Sequence, residues 1–387
     1  MSRRLLFLFL LAVLMTSTWA AATPPAPKDL DLTANDGLKL KATYFAAGKA
    51  GPGILLLHQC NRDRKMWNDL ALKLAAEGIN VLTLDFRGFG ESGGPRANEI
   101  APQEAQRIVT QLWPGDVDKA YDYLRSQAGV KKDIIGAAGA SCGVNQSIQL
   151  ARRHPEVKSL VLLSGFTDRD GRSFLKQAKG LPLFGSAADD DAGAVEQMEW
   201  LLSLSPNPAN TFQHYQTGGH GIEMFAPHQD LTGLIVNWFN TTLIKTPGRA
   251  PENRNASFRG DTNVLAKIDE PGGADKIAEQ LQKNPKSVTF SEALVNQLGY
   301  EHIQFGDTKG AIAIFKLNVA ANPNSANAYD SLGDGYAADG QTDLAVRNAK
   351  TALSMLANDK SLNDQRRDAI KQSAQQKLDQ MGTAAAQ

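Results

Sequence analysis

Two apolar tetrads, Ile54-Leu55-Leu56-Leu57 and Leu160-Val161-Leu162-Leu163, constrain the fold of this chain most. A strand that is apolar at every position has no face for solvent, so it belongs in a sheet covered on both sides. Around the tetrads, β-rich runs alternate with helical patterns from about residue 28 to 243. Strands are predicted at 38–45, 53–58, 79–85, 133–138, 157–164, 181–186 and 211–216. Helices are predicted at 66–77, 105–127, 144–154, 194–204 and 231–243. This alternation implies an α/β domain with a doubly wound, mostly parallel sheet.

The chain then changes character. Residues 245–285 carry Pro247, Pro251, Pro271, Gly272 and Gly273, the pattern of a linker that becomes helical from about Asp275. From 286 to 382 positions recur every 34 residues: Leu298 and Leu332, Gly299 and Gly333, Gly306 and Gly340, Ala311 and Ala345. Tyr329, Tyr336, Phe315 and Pro323 fall in the same frame. The period and the Leu-Gly, Ala, Pro pattern resemble tetratricopeptide repeats, which implies a small all-α domain of stacked helix pairs. Such a module would take a protein or peptide partner or dock on its own chain. Two repeats fall short of the three usually needed, so helices near 275–283 and 364–381 are expected to cap the stack.

At the other end, Arg3 and Arg4 precede the apolar run Leu5–Met15, followed by Ala20-Ala21-Ala22. This is the order of a secretory signal peptide over residues 1–22, too short to span a bilayer as a helix, so a periplasmic or secreted protein without stable membrane insertion is expected. The whole chain has 41 basic and 41 acidic side chains. Removing the leader leaves 39 basic against 41 acidic, a net charge of −2 that gives no basis for binding nucleic acid. The two cysteines are too few for a structural zinc site or a disulfide scaffold, and no metal or other cofactor is expected.

Chemistry concentrates at Gly139-Ala140-Ser141-Cys142-Gly143, between a predicted strand and a predicted helix. G-x-S-x-G in that setting is a sharp turn that lifts one hydroxyl above the sheet, and its glycines leave room that a Cβ would take. A serine needs a base, and the base needs an orienting carboxylate. His220, in Gly218-Gly219-His220-Gly221 after the last predicted strand, is the candidate base. His58 is read as ordering a loop and His154 as ending a helix. His214, His228 and His302 are read as structural or surface residues. Candidate acids lie between serine and histidine: Asp189, Asp190 and Asp191 after the predicted strand at 181–186, or Asp168 and Asp170 after the preceding one.

Together with His58-Gln59-Cys60-Asn61 and Asp85-Phe86-Arg87-Gly88-Phe89-Gly90-Glu91-Ser92, these motifs make residues 28–243 resemble an α/β-hydrolase domain, nearest to the dienelactone-hydrolase-like serine hydrolases. In similar hydrolases the acid falls about nine positions beyond a strand-opening proline, here Pro182, which favours Asp191. The resemblance implies an oxyanion hole formed by the backbone N–H groups of Cys60 and Cys142. Gln59 stands where relatives carry glycine, a departure that bears on the local backbone. Dienelactone hydrolases use a cysteine nucleophile, so Ser141 points to general ester chemistry. If both cysteines flank one oxyanion hole, they lie within reach of a Cys60–Cys142 disulfide.

The implied activity is two-step acyl transfer by Ser141, His220 and Asp191 on a small-molecule or acylated substrate. A peptidase or amidase would use the same triad, and a non-catalytic interaction platform is the reading from another class. Only about 17 residues, 165–181, separate two predicted strands, leaving no room for a large cap. Arg169 and Arg172 in that segment face either solvent or an anionic group of the substrate.

Overall fold

The computed structural model describes residues 24–251, 263–359 and 362–384. The signal-like segment 1–22 lies outside them. Strands β1 (Lys28–Thr33), β2 (Lys39–Phe45), β3 (Gly51–Leu57), β4 (Asn80–Leu84), β5 (Val130–Ala140), β6 (Val157–Leu163), β7 (Leu183–Ala188) and β8 (Thr211–Tyr215) form one sheet in the order β1-β2-β4-β3-β5-β6-β7-β8. β1 and β2 join antiparallel, and every pairing from β4 to β8 is parallel.

The tetrads serve both faces. Ile54 and Leu56 pack with α1 (Asn68–Ala76) through Leu70 and Leu74. Leu55 and Leu57 join Val117, Tyr121 and Leu124 on the opposite side. Each such buried leucine contributes about 1.5–3 kcal/mol relative to exposure, which fixes this register of β3 against both helical layers.

Three differences from the sequence reading have local causes. β1 was not foreseen because KDLDLT is mostly polar, and only Leu32 of that strand is buried. The helix expected at 105–127 is two helices, α2 (Pro102–Arg107) and α3 (Trp113–Ser126), joined by a wide π-turn at Ile108–Leu112. Pro114, with no N–H to donate, interrupts the regular ladder there. After α4 (Cys142–Arg153), the segment 165–181 contains an unforeseen helix, α5 (Arg169–Gln177), capped by Asp168 accepting the Gly171 N–H at 2.9 Å.

Beyond α6 (Ala194–Leu204) and α7 (Gln229–Phe239), the segment read as a linker holds an unforeseen helix, α8 (Val264–Asp269), before α9 (Gly273–Lys283), the helix expected from about Asp275. They lead into α10 (Glu292–Gln304), α11 (Thr308–Ala321), α12 (Ala326–Ala338), α13 (Thr342–Met355) and α14 (Asp364–Ala384). α10 and α12 start 34 residues apart, as do α11 and α13, so the sequence period is a period of helix pairs. At Gly299 a Cβ would run into the Phe315 ring, which accounts for the small residue where α10 crosses α11.

The helical module shares a core with the sheet domain. Trp200 of α6 is buried with Leu265, Ile268, Leu294 and Leu298. Beside it Arg172 of α5, 3% exposed, pairs with Asp269 at 3.2 Å and Glu301 at 2.8 Å. Its guanidinium lies over the Trp200 and Phe166 rings, 4.9 and 5.3 Å from their centroids. Arg169 stacks over Phe305 at 5.5 Å. Arg172 is thus buried against the module, which corrects its reading as a solvent-facing or substrate-facing group, while Arg169 is exposed, as its solvent-facing reading has it.

Candidate active site

β5 ends at Ala140, and α4 begins at Cys142. Between them Ser141 has φ 52° and ψ −119°, a strained conformation for a residue with a side chain. A Cβ on Gly139 would strike the Gly143 carbonyl, and one on Gly143 would strike the Leu57 carbonyl. The glycines at both ends of the motif are therefore required by contact. Because Cys142 opens α4, its N–H is among the amides that no earlier helical carbonyl can accept.

His220 lies beyond β8, where its Nδ1 meets Asp191 Oδ2 at 2.7 Å. The three adjacent aspartates divide their tasks. Asp189 pairs with His214 Nε2 at 2.8 Å on the surface. Asp190 accepts the N–H groups of Gly218 and Gly219, each at 3.0 Å, and these hold its carboxyl below the usual range. Asp191 alone reaches the imidazole. Asp168 caps α5 and accepts from Asn145 and Gln149, while Asp170 faces Arg152 at 3.5 Å, so the structure does not bring either to His220.

One neighbour of His220, Glu223, was not singled out in the sequence. Glu223 Oε2 accepts the His220 N–H at 3.1 Å, and its Oε1 pairs with Arg62 at 3.0 Å. The i to i+3 spacing of His220 and Glu223 is the local signal that could have disclosed the first contact. The hydrogen bond that His220 donates to Asp191 raises the His220 pKa above its ordinary 6.5, against the opposing effect of burial, and the Glu223 charge adds to the rise. A base must be neutral to take a proton, so activity is lost as pH falls through this raised value. The kcat/KM profile is expected to show an acid limb with its midpoint above 6.5. A midpoint at or below that value would contradict the assigned pair.

The remaining histidines have structural partners. Buried His58 accepts the Phe86 N–H on Nε2 at 3.0 Å and faces the Gln59 carbonyl with Nδ1 at 2.8 Å. Burial holds its pKa below the ordinary value, so it stays neutral and donates from Nδ1, ordering the loop as expected. His154 ends α4 and meets Asp118 at 2.9 Å. His228 meets the Thr217 carbonyl, and His302 lies between Asp307 and Asp269 in the helical module.

Cys60 and Cys142 place their sulfurs at bonding distance, with Cα atoms 5.9 Å apart. Gln59 causes no backbone strain, since among the described non-glycine residues only Ser141 and Ser164 have positive φ. Alkylation of unreduced, denatured protein from an oxidising compartment is expected to leave both thiols unmodified. Recovery of both in alkylated form would show the pair open.

The Asp85–Ser92 segment forms a wall of the site. Asp85 pairs with Arg64 at 2.6 Å, both fully buried, and accepts the Glu91 N–H at 2.8 Å. Arg87 holds Asp116 through two bonds, at 2.7 and 2.8 Å. Its contribution is rigidity: the turns after β3 and β4 are locked together by charge-assisted bonds. Among the described residues no cluster of metal-ligating side chains is present, and no helix is long and apolar enough to cross a membrane.

Residues 49–220 match the family model described as serine aminopeptidase, S33, and the matched stretch runs from the strand before the oxyanion turn to His220. The fold is that of an α/β-hydrolase. An uncharacterized protein of Mycobacterium tuberculosis is 32% identical over 150 residues, covering 38% of this chain and 49% of that protein. A thiohydrolase of Aspergillus aculeatus is 31% identical over 111 residues, covering 27% and 31%. The chain thus spans half or less of the length of these curated relatives. Among solved structures, an esterase of Pyrococcus furiosus is 18% identical, covers 56% of this chain and 90% of its own, and gives a TM-score of 0.45. A dienelactone hydrolase of Anabaena variabilis is 17% identical, with 56% and 98% coverage and a TM-score of 0.44. The C-terminal helical module lies beyond residue 220, where the family match ends.

Proposed function

We propose that this chain is an exported serine hydrolase that cleaves carboxylic esters through an acyl-enzyme. The observation that carries the reading is the 2.7 Å contact of Asp191 with His220 Nδ1, which leaves Nε2 as the proton-accepting edge in a chain whose elbow presents Ser141. Ser141 Oγ attacks the carbonyl carbon while His220 takes its proton. Asp191 holds the tautomer and stabilises the imidazolium. The amides of Cys142 and Cys60 receive the oxyanion; one such donor is worth about 100- to 1,000-fold in rate. Protonated His220 releases the alcohol, and a water activated by the same imidazole frees the acid.

A cavity of about 750 Å³ beside Cys60 is lined by Met66, Phe89 and Ile222, with Arg62, Asp63 and Arg96 also on its wall. This size accommodates a small-molecule acyl or alcohol group. Export is read from the order of residues 1–22 and fits the placement of the two cysteines, since a disulfide persists in oxidising compartments. The helical module, a tetratricopeptide-like stack by its period, acts by docking on its own hydrolase domain.

A peptidase or amidase reading is favoured by one observation, the serine aminopeptidase family match. Hydrolysis of p-nitrophenyl esters of increasing chain length, set against amide substrates of the same acyl groups, decides between them. Ester turnover that Ser141→Ala abolishes supports the proposal. Turnover of amides alone would replace it, and no turnover of either by folded protein would favour a non-catalytic platform.

A further inference from the structure

Resting on the hydrolase reading above, we infer that Gln59 is a positioning residue, whose side-chain amide sets the base loop against the oxyanion turn. Gln59 is fully buried and stands between His58, at the end of β3, and Cys60. Its Oε1 accepts the Ile222 N–H at 2.9 Å, across 163 positions of sequence. Its Nε2 donates to Asn61 Oδ1 at 2.6 Å, which fixes the orientation of the amide. The Gln59 carbonyl accepts the Arg62 N–H at 3.1 Å and faces His58 Nδ1, so backbone and side chain of this residue are both held.

The loop on the far side is shaped to receive that amide. Gly221 has φ +63°, and a Cβ there would run into Gln59 Oε1 and lie 3.4 Å from the Ala140 Cβ. The residue after His220 is therefore packed between Gln59 and the residue before Ser141. Asp190, Asp191 and Glu223 hold the same loop through Gly218, Gly219 and His220, and Glu223 also reaches the Cys60 turn through its exposed pair with Arg62, whereas the Gln59 link is buried. Gln59 ties the loop to the turn that carries Cys60. With the Cys60–Cys142 contact it completes a path from the elbow through the oxyanion turn to the base loop.

A glycine at this position, as in similar hydrolases, has no side chain for this link. A misplacement of about 1 Å can cost on the order of 100-fold in rate. Gln59→Met keeps the length and removes both hydrogen bonds. It is expected to lower kcat about 10- to 100-fold, with KM nearly unchanged. Gln59→Glu retains the acceptor for Ile222 while Asn61 turns its amide to donate, and should restore most of that loss. In this fully buried setting the new carboxyl is driven towards its neutral form, so the acid limb need not move, and a near-wild-type kcat is the readout available even if the methionine variant does not fold.

Wild-type kcat in Gln59→Met, or a kcat in Gln59→Glu more than about tenfold below wild type, would overturn the inference. So would a loss carried by KM alone. A wild-type protein that neither hydrolyses esters nor labels with a fluorophosphonate withdraws the hydrolase reading itself. An active wild type with indifferent variants withdraws only the role of Gln59.

Discussion

Asp191→Asn is expected to lower kcat about 10⁴-fold, the scale on which a triad fails when its histidine loses the carboxylate that selects its tautomer. An asparagine at 2.7 Å from His220 Nδ1 can present its amide N–H and drive the imidazole proton to Nε2, which then can no longer accept one. The neighbouring aspartates provide internal controls. Asp189→Asn disturbs a surface pair with His214, worth no more than about 1 kcal/mol, and should leave kcat unchanged. Asp190→Asn keeps one acceptor oxygen for Gly218 and Gly219, so its loss should stay within about tenfold, on the order of 1.4 kcal/mol. Steady-state kinetics on the three variants checks the assignment. A larger loss at Asp190 than at Asp191 would contradict it.

The second large effect concerns the helical module. Arg172→Met is expected to destabilise the whole chain by about 3–5 kcal/mol, because Asp269 and Glu301 lose their counter-charge inside the interface. Burial already raises the Glu301 pKa, with Arg172 the opposing influence, so removing the guanidinium leaves a carboxyl driven towards its neutral form. Truncation after residue 250 removes the side chains of the helical module that cover Trp200, Phe166 and Leu204. Each large apolar side chain returned to water costs about 1.5–3 kcal/mol, and together they form a patch that favours association. Thermal unfolding and size-exclusion chromatography should show a Tm lowered on the order of 10 °C for Arg172→Met and aggregation of the truncated chain. A monodisperse truncated domain with unchanged Tm would mean the module is separable.

Sequence and structure agree where local pattern decides and part where distant contacts do. β3 and β6 were legible because a run of apolar residues admits few alternatives, and the 34-residue period mapped directly onto paired helices. β1 escaped because its residues are mostly polar, and α5 escaped because its sequence, RDGRSFLKQ, carries a glycine and four charges. The elbow declared itself through two glycines that contact requires. Asp191 needed a register borrowed from similar proteins, since consecutive residues of one turn send their carboxylates to His214, to the Gly218 amide and to His220. Nothing near Arg172 in sequence announces Asp269, 97 positions away, and nothing near Gln59 announces Ile222. A glutamine in a glycine's place looked like an irregularity of the backbone; its function lies in its side chain.

The central claim is that Ser141 is a nucleophile activated by His220. Fluorophosphonate labelling followed by peptide mapping tests it most directly. The account predicts one adduct, on Ser141, formed faster as pH rises through the raised His220 pKa and absent from Ser141→Ala. Folded wild-type protein that takes no label, or carries it on another residue, would contradict the account.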